Sequence, residues 1–286
     1  MGAPRNYQTE AIVIKQSKFG EIDKLLVIYT PEFGKLRVLA KGACRPGSKL
    51  GGNVEPLTYS LLMLARGRNL DIVTQSQTIH GFPDLKGDLW LTAYGLYILE
   101  LVDSFTMEDG ANRPVFDLLL NALHWLSQAD GNEIVLRYFE LQLLHYLGYR
   151  PELYRCVNCI SPLKPVPNFF SSGQGGILCP DCNEGDFPSR SLSVDALKIL
   201  RLWQNCDYAT ARRVKARSEL SSELEQVLQG YIRYLLQREL KSIAWLKELR
   251  EKFHHPVNLN PPSAVHNQIG ISVTRWVKEN RSTSNV

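Results

Sequence analysis

The sequence predicts a multidomain α+β protein in which a small five-stranded OB-fold barrel precedes an all-α domain with an inserted ribbon. Over the first 80 residues, short runs rich in Val, Ile and Leu alternate with Gly, Pro and Asn, which is the pattern of strands and turns. From Asp88 onward, apolar residues recur at three- and four-residue steps, which is the helical period. Two Cys-x-x-Cys pairs then interrupt the helical part.

The barrel is predicted from five strand-like segments of five to eight residues, at 10–15, 24–30, 35–40, 57–64 and 70–74. Five such strands that close on themselves bury an apolar interior and hide their edges. We therefore expect residues 1–80 to form an OB-fold barrel. An SH3-like barrel is the competing topology at this stage.

The helical domain is expected over residues 81–253. Trp90, Tyr94, Tyr97 and Leu101 form one apolar stripe, and Asn112 followed by Pro114 is typical of a helix start. A further helix is expected after Ser193, a residue type that caps helix starts. The clearest amphipathic pattern predicts a helix over 221–241, and the Pro-containing, polar residues 254–286 are expected to form a mobile tail.

The four cysteines Cys156, Cys159, Cys179 and Cys182 have the spacing of a zinc ribbon, expected over 154–184. Nineteen residues separate two Cys-x-x-Cys pairs, and such pairs supply the four thiolates of a tetrahedral structural Zn²⁺. Two disulfides or four unconnected thiols are the alternatives. A chain of 286 residues without a secretory leader favours a reducing, cytoplasmic compartment instead. Four sulfur ligands leave no position for a substrate, so the metal is expected to be structural.

The distribution of charge indicates contact with a polyanion. Residues 1–80 hold 11 Lys and Arg against 6 Asp and Glu, and residues 186–286 hold 16 against 10. Residues 81–155 between them hold 5 against 11. Basic ends around an acidic middle favour polyanion binding by the ends. No apolar run approaches the length of about 20 residues that spans a bilayer.

The candidate DNA-binding residues lie in and after the third predicted strand. Lys35, Arg37 and Lys41 are separated by even steps and share one strand face, so that Leu36, Val38 and Ala40 point into the barrel. A Gly-rich loop follows, in which backbone N–H groups can approach phosphate oxygens. A solvated charged face is the alternative reading of this stripe. The full set of candidates is Lys35, Arg37, Lys41, Arg45, Lys49, Arg66 and Arg68.

No catalytic constellation is present in the sequence. It contains no GxxxxGK[ST], GxSxG or HExxH motif. His80, His124 and His145 lie far apart in sequence and are expected to be packed or exposed singly. The protein is therefore predicted not to be an enzyme, and a zinc enzyme is disfavoured by the closed four-sulfur shell.

Three segments together resemble the RecO recombination-repair family of bacteria: KGACRPGSKLGG at 41–52, FELQLLHYLGYRPELYRC at 139–156 and ILCPDC at 177–182. The resemblance spans residues 1 to about 250. It implies an N-terminal OB fold, a helical C-terminal domain and a four-cysteine zinc finger. It also implies binding of single- and double-stranded DNA, strand annealing, and assistance of recombinase loading with RecR and single-strand-binding protein.

Two hypotheses of different classes follow. In the first, the protein is a non-catalytic mediator of recombinational DNA repair, and basic residues of the barrel neutralise phosphates. In the second, it is a protein-interaction adaptor with little direct DNA contact. Its helical domain would then bind an acidic or apolar peptide along the basic edge of the 221–241 helix, at Arg233, Arg238 and Lys241.

Overall fold

The computed structural model describes residues 5–48, 50–128, 133–183 and 188–253. The predicted tail 254–286 and the candidate Lys49 lie outside these residues. The chain divides into two compact units between His124 and Trp125. The predicted boundary near residue 80 stays a prediction.

The first unit contains a closed five-stranded barrel. Its strands are β1 (Asn6–Phe19), β2 (Asp23–Thr30), β3 (Gly34–Ala40), β4 (Tyr59–Ala65) and β5 (Asp71–His80). Their order is β1-β2-β3-β5-β4, and β3 and β5 run parallel. The long β1 closes the barrel because its first half pairs with β4 and its second half with β2. This topology confirms the predicted OB-type barrel, although β1 and β5 are longer than the sequence pattern indicated.

The barrel core follows from the alternation of side chains along each strand. On β3, Val38 and Ala40 are fully buried, whereas Arg37 is exposed. Leu26 and Ile28 of β2 pair with Val38 and Leu36 of β3, so that all four point inward. Directly opposed residues share one face of a sheet, and this register therefore places the odd-numbered residues of β3 on the outside.

The described part of the first unit also contains three helices: α1 (Pro83–Gly87), α2 (Leu89–Phe105) and α3 (Arg113–Ser127). The last of them, α3, continues three residues past the division between the units. The carboxylate of Asp88 caps α2 by accepting from two backbone N–H groups of its first turn, at 2.8 and 2.9 Å. The side chain of Asn112 accepts from the N–H of Val115 at 3.2 Å. The helix starts near Asp88 and Asn112 are therefore confirmed.

Among its described residues, the second unit contains five helices: α4 (Glu133–Tyr146), α5 (Val194–Asn205), α6 (Tyr208–Ala211), α7 (Ser218–Leu236) and α8 (Lys241–Phe253). Ser193 caps α5, as predicted, by accepting from the N–H of Ala196 at 3.2 Å. The single helix predicted over 221–241 is wrong. Gln237 adopts a left-handed conformation with φ of 52°, which ends α7, and the chain turns before α8 begins at Lys241.

A small sheet of β6 (Asn168–Ser171), β7 (Gly176–Leu178) and β8 (Ser189–Leu192) forms the ribbon, in the order β7-β6-β8. Within it, β6 and β7 form a hairpin in which Phe169 pairs with Leu178 and Phe170 with Ile177. The third strand, β8, lies beyond the range that the sequence indicated. Gly176 is required because a Cβ there would lie 2.6 Å from the carbonyl oxygen of Glu152.

A buried ionic network joins α4, α7 and α8. The guanidinium of Arg250 contacts the Glu133 carboxylate at 2.6 Å and the Glu225 carboxylate at 3.0 Å. Arg137, with 2% of its side chain exposed, contacts the fully buried Glu140 at 2.9 Å. Burial raises the pKa of Glu133, and Arg250 opposes that rise. The ion pairs therefore offset the cost of burying these charges between the three helices.

Candidate metal centre and nucleic-acid interface

The four cysteines of the two knuckles converge on one point. The sulfur atoms of Cys156, Cys159, Cys179 and Cys182 all lie within 4.8 Å of one another. The sulfurs of Cys159 and Cys179, on different knuckles, are 3.8 Å apart. A tetrahedral metal–thiolate site with bonds of about 2.3 Å has sulfur–sulfur edges of about 3.8 Å, so the cluster fits a metal ion.

Backbone hydrogen bonds shape the cluster for anionic sulfur. The N–H of Cys179 donates to the sulfur of Cys156 at 3.4 Å. Burial raises the pKa of the Cys156 thiol, but backbone N–H groups of Cys159, Cys179 and Asn158 outweigh it, and the pKa falls to about 6. Desolvation raises the pKa of Cys179 to about 12. A backbone hydrogen bond from Ser161 also lowers the pKa of Cys159. The two thiols of the first knuckle therefore ionise more readily than usual, which suits them to bind a cation.

Ile160 completes the first knuckle in a strained conformation. Its N–H donates to the carbonyl oxygen of Cys156 at 2.9 Å, and its φ is +62°. A left-handed conformation is costly for a β-branched residue and is usually occupied by glycine. The side chain is 59% exposed, so packing offsets little of this cost.

Lys35 does not join an open row of cations. Its ammonium donates to the carbonyl oxygen of Asp103 at 2.7 Å and contacts the Asp103 carboxylate at 3.3 Å, and the side chain is only 12% exposed. The segment after α2 also runs beside the start of β3, where the N–H of Asp109 donates to the carbonyl oxygen of Lys35 at 3.1 Å. The expectation that Lys35 shares a solvent-facing row with Lys41 is therefore corrected, because an acidic segment covers this part of β3.

Arg37 is partly neutralised by the same segment. Its guanidinium lies 3.8 Å from the Glu108 carboxylate, and both side chains are about half exposed. A pair so exposed contributes little to stability. The Glu108 carboxylate nonetheless offsets the charge that Arg37 presents to solvent.

The predicted arginine Arg66 lies near the start of β3. It lies over the ring of Tyr7, 5.0 Å from its centroid, and Tyr7 contacts Phe33 in the turn between β2 and β3. Lys41 and Arg45 instead follow the last residue of β3, and the strand between the two ends is seven residues, or about 20 Å. Arg68 lies in the loop between β4 and β5, just before Asp71, which pairs with Val38 of β3.

The β1–β2 hairpin brings two further lysines to the Lys41 end, which the sequence analysis did not identify. Lys18 pairs directly with Lys24, and Lys24 pairs with Ala40. The loop after β3 is held against this hairpin because the N–H of Gly42 donates to the Asp23 carboxylate at 2.7 Å. The pairing of β1 with β2 as a hairpin was the signal from which Lys18 and Lys24 could have been identified. We call the group the hairpin-end surface: Lys18, Phe19, Lys24, Lys41 and Arg45.

The hairpin-end surface combines free cations with an exposed aromatic ring. Within the described ranges, none of its four cationic groups has a carboxylate within 4 Å. Phe19 is 47% exposed. Positive charge and an accessible ring therefore occur together at this end of the barrel.

Of the histidines His80, His124 and His145, the first two lie together in the first unit, contrary to the expectation that each would be isolated. The rings of His80 and His124 are 5.1 Å apart between centroids, and both contact Phe82. The N–H of Phe82 donates to Nδ1 of His80 at 3.1 Å. Burial, and then the neighbouring His80, lower the pKa of His124, which favours its neutral form in this aromatic cluster.

Two of the three predicted partner-binding residues, Arg233 and Arg238, line a groove in the second unit. Two adjoining cavities of about 320 and 790 Å³ share lining residues of β8, α7 and the following turn, including Arg190, Arg233 and Arg238. The floor of the smaller cavity includes Ile232, Leu240 and Leu246. Lys241 is exposed at the start of α8 and is not among the residues that line either cavity.

Sequence comparisons identify relatives that match both parts of the chain. The family model described as Recombination protein O N terminal matches residues 3–82, and that described as Recombination protein O C terminal matches residues 86–244. A DNA repair protein RecO of Dehalococcoides mccartyi strain 195 is 39% identical over 87% of this chain and 98% of its own length. One from Roseiflexus sp. strain RS-1 is 38% identical over 98% of this chain and 96% of its own length. Among the described residues, no helix is long and apolar enough to cross a membrane.

Proposed function

Because the chain belongs to the RecO family of DNA repair proteins, we propose that it is a non-catalytic mediator that binds DNA and anneals complementary strands. The hairpin-end surface carries this proposal. Its four cations are without carboxylate partners among the described residues, whereas those at the start of β3 are compensated by Asp103 and Glu108.

Annealing by this surface needs no nucleophile. Two strands repel each other through their phosphates, and cationic side chains that neutralise the phosphates remove that repulsion. Base pairing then supplies the free energy of the product duplex. Binding through phosphates is expected to be tolerant of sequence and sensitive to salt.

Zn²⁺ is the metal that we propose for the four-cysteine cluster. Four thiolates in a tetrahedral arrangement favour Zn²⁺ among the common biological cations. When bound, the ion would link the two knuckles and supply a structural crosslink, with no coordination position left for substrate. Cys156, Cys159, Cys179 and Cys182 would each contribute one sulfur ligand.

The test of DNA binding is charge reversal at the hairpin-end surface. Lys41→Glu/Arg45→Glu is expected to weaken binding of an oligonucleotide and to make the dependence of log K on log salt shallower by about 1.4, since each single-strand phosphate contact contributes about 0.7. Affinity is measured by fluorescence anisotropy between 50 and 200 mM salt, a range of about fourfold. Annealing is followed with complementary labelled strands under the same conditions.

The matched control is Arg113→Glu, which reverses a 69% exposed cation on α3 of the same unit. This variant is expected to keep the salt dependence and annealing rate of the unmodified protein. An unchanged slope in Lys41→Glu/Arg45→Glu would refute the role of the hairpin-end surface. An unmodified protein that neither binds nor anneals DNA would refute the proposed function as a whole.

A second candidate function is that of an adaptor whose second unit binds an acidic peptide. The groove favours it, because Arg190, Arg233 and Arg238 line it together with apolar residues of α7 and α8. Of these arginines, Arg233 is paired with Glu239 at 3.5 Å. RecR and single-strand-binding protein are the partners that we propose, with recombinase filaments as an indirect one. Arg238→Glu is expected to abolish capture of the partner and to leave the salt dependence of DNA binding unchanged. Lys252→Glu, at an exposed position of α8, is the control.

A further inference from the structure

Tyr154, in the approach to the first knuckle, is a fixed aromatic ring with an open face. The guanidinium carbon of Arg201 lies 4.9 Å from its ring centroid, and Nδ2 of Asn205 donates to its hydroxyl oxygen at 2.8 Å. Tyr154 is nevertheless 47% exposed. Arg201 therefore lies over the ring and Asn205 bonds to its hydroxyl, while about half of the residue stays accessible to solvent.

The backbone and the partners of Tyr154 are held as well. Its N–H donates to the Glu152 carboxylate at 2.7 Å, and its carbonyl oxygen accepts from the N–H of Leu163 at 3.2 Å. Arg201 is held by its own bond from Nε to the carbonyl oxygen of Leu153, at 2.8 Å. A ring immobilised in this way loses little conformational entropy when a ligand stacks on it.

A second arginine, Arg150, is linked to the ring through Asn205. Arg150 donates from Nη2 to the side-chain oxygens of Asn205, at 3.0 Å, and Gln204, at 3.2 Å. Asn205 in turn bonds to Tyr154, so Arg150 and Arg201 are both fixed relative to the ring. The neighbouring Arg155 is exposed. We call Arg150, Tyr154, Arg201 and Asn205 the Tyr154 platform.

We propose that the Tyr154 platform stacks one base of single-stranded nucleic acid and that its arginines contact the flanking phosphates. This inference rests on the proposed function and deepens it by giving the second unit a strand-binding site of its own. An open aromatic face accepts any base, whereas the bases of a duplex are already stacked on each other. Arginine in turn binds phosphate bidentately.

The first test is crosslinking of the full, metal-loaded chain to oligothymidylate in which one base is 5-iodouracil. Irradiation links such a base to an aromatic ring that stacks on it, and mass spectrometry of the peptides identifies the linked residue. We expect a crosslink at Tyr154 in the unmodified protein. This readout does not depend on the folding of any variant.

The second test measures affinity for oligothymidylate in the Lys41→Glu/Arg45→Glu background, where the barrel contributes less. Tyr154→Leu is expected to weaken binding by roughly 5- to 140-fold, which corresponds to the range for one base stacked on an aromatic side chain. Tyr154→Trp is expected to retain binding because it keeps a flat ring. Tyr146→Leu, which removes a tyrosine of similar exposure from the end of α4, is the control and is expected to bind as the background does.

The outcomes separate this inference from the function on which it rests. Crosslinks confined to the barrel, with equal affinity in Tyr154→Leu and Tyr146→Leu, overturn the Tyr154 platform and leave DNA binding by the barrel in place. Absence of both crosslinks and binding in the unmodified protein overturns the platform and the proposed function together. A crosslink at Tyr154 with selective loss in Tyr154→Leu supports the platform.

Discussion

Replacing Arg250 by methionine removes the cation that joins two buried carboxylates of α4 and α7. Arg250 contacts Glu133 at 2.6 Å and Glu225 at 3.0 and 3.2 Å. With Arg137 and Glu140, the network has two cations and three anions, so its net charge changes from −1 to −2. The loss of one partner of a buried pair costs about 3–5 kcal/mol.

The lower end of that range applies here, because 15% of the Arg250 side chain is exposed and water compensates part of the loss. We expect Arg250→Met to lower the free energy of unfolding of the second unit by about 3 kcal/mol. At a denaturant slope of about 2 kcal/mol per molar urea, the midpoint falls by about 1.5 M. Urea unfolding followed by circular dichroism gives the midpoint, and hydrogen exchange of α4 and α8 assigns it to this unit.

Lys252→Met on the same helix provides the matched control. Lys252 pairs with Glu248, and more than half of each side chain is exposed, so its loss is expected to cost less than about 1 kcal/mol. Glu133→Gln added to Arg250→Met is expected to restore part of the stability, because it removes one uncompensated charge. Equal midpoints for Arg250→Met and Lys252→Met would refute the assignment of stability to the buried network.

The pH dependence of Arg250→Met provides a further check on the same reasoning. Burial raises the pKa of Glu133 and Arg250 opposes that rise, so the pKa is expected to rise further without Arg250. When the pKa of a carboxyl group is higher in the folded state than in the unfolded state, the folded protein loses stability as pH rises through the folded pKa. The deficit of Arg250→Met relative to the unmodified protein is therefore expected to shrink on acidification and to grow again toward neutral pH.

Three further predictions concern the cysteine cluster, the histidine cluster and the first knuckle. Chelation of the metal, or Cys179→Ser, is expected to unfold the ribbon, since structural zinc contributes on the order of 10 kcal/mol to a small module. Metal content and hydrogen exchange of the ribbon measure the loss of metal and of structure. Unfolding of the barrel in the same step would contradict this prediction. Burial lowers the pKa of His124, so its contribution to stability is present above the unfolded pKa of about 6.5 and is lost as pH falls toward the folded value. Thermal unfolding from pH 7.5 to 5.5 is expected to be less pH-dependent in His124→Gln. Ile160→Gly is expected to raise the stability of the metal-loaded second unit by about 0.5–1 kcal/mol, since the relief of a left-handed isoleucine exceeds the added entropy of glycine; a lower midpoint in urea would contradict it.

Local patterns predicted the features that depend on neighbouring residues along the chain. The alternation of β3 predicted that Val38 and Ala40 are buried, because side-chain direction in a strand depends only on its period of two residues. The spacing of the cysteines predicted that their sulfurs converge, because each knuckle is a short local turn. The helix start near Asp88 and the cap at Ser193 are likewise local.

Contacts between distant residues could not be predicted in this way. The partner of Lys35 is Asp103, 68 residues away, and no periodicity indicates that α2 ends beside β3. The break between α7 and α8 occurs at Gln237 in a left-handed conformation, without the glycine or proline that usually signals a helix end. The pairing of His80 with His124 likewise depends on the packing of α3 against the end of β5.

These distant contacts decide which cations a nucleic acid can encounter. Counting lysines and arginines in the sequence favoured β3, but Lys35 pairs with Asp103 in the last turn of α2 and Arg37 pairs with Glu108 just after it, and both ion pairs reduce the positive potential there. Arg66 lies near the start of β3, and Lys41 and Arg45 follow its other end, about 20 Å away, which exceeds the Debye length of about 8 Å at physiological salt. Arg66 therefore adds little to the potential around Lys41 and Arg45. Under the proposed function, compensation by acidic neighbours, rather than the number of basic residues, is what we expect to direct a phosphate backbone to the hairpin-end surface.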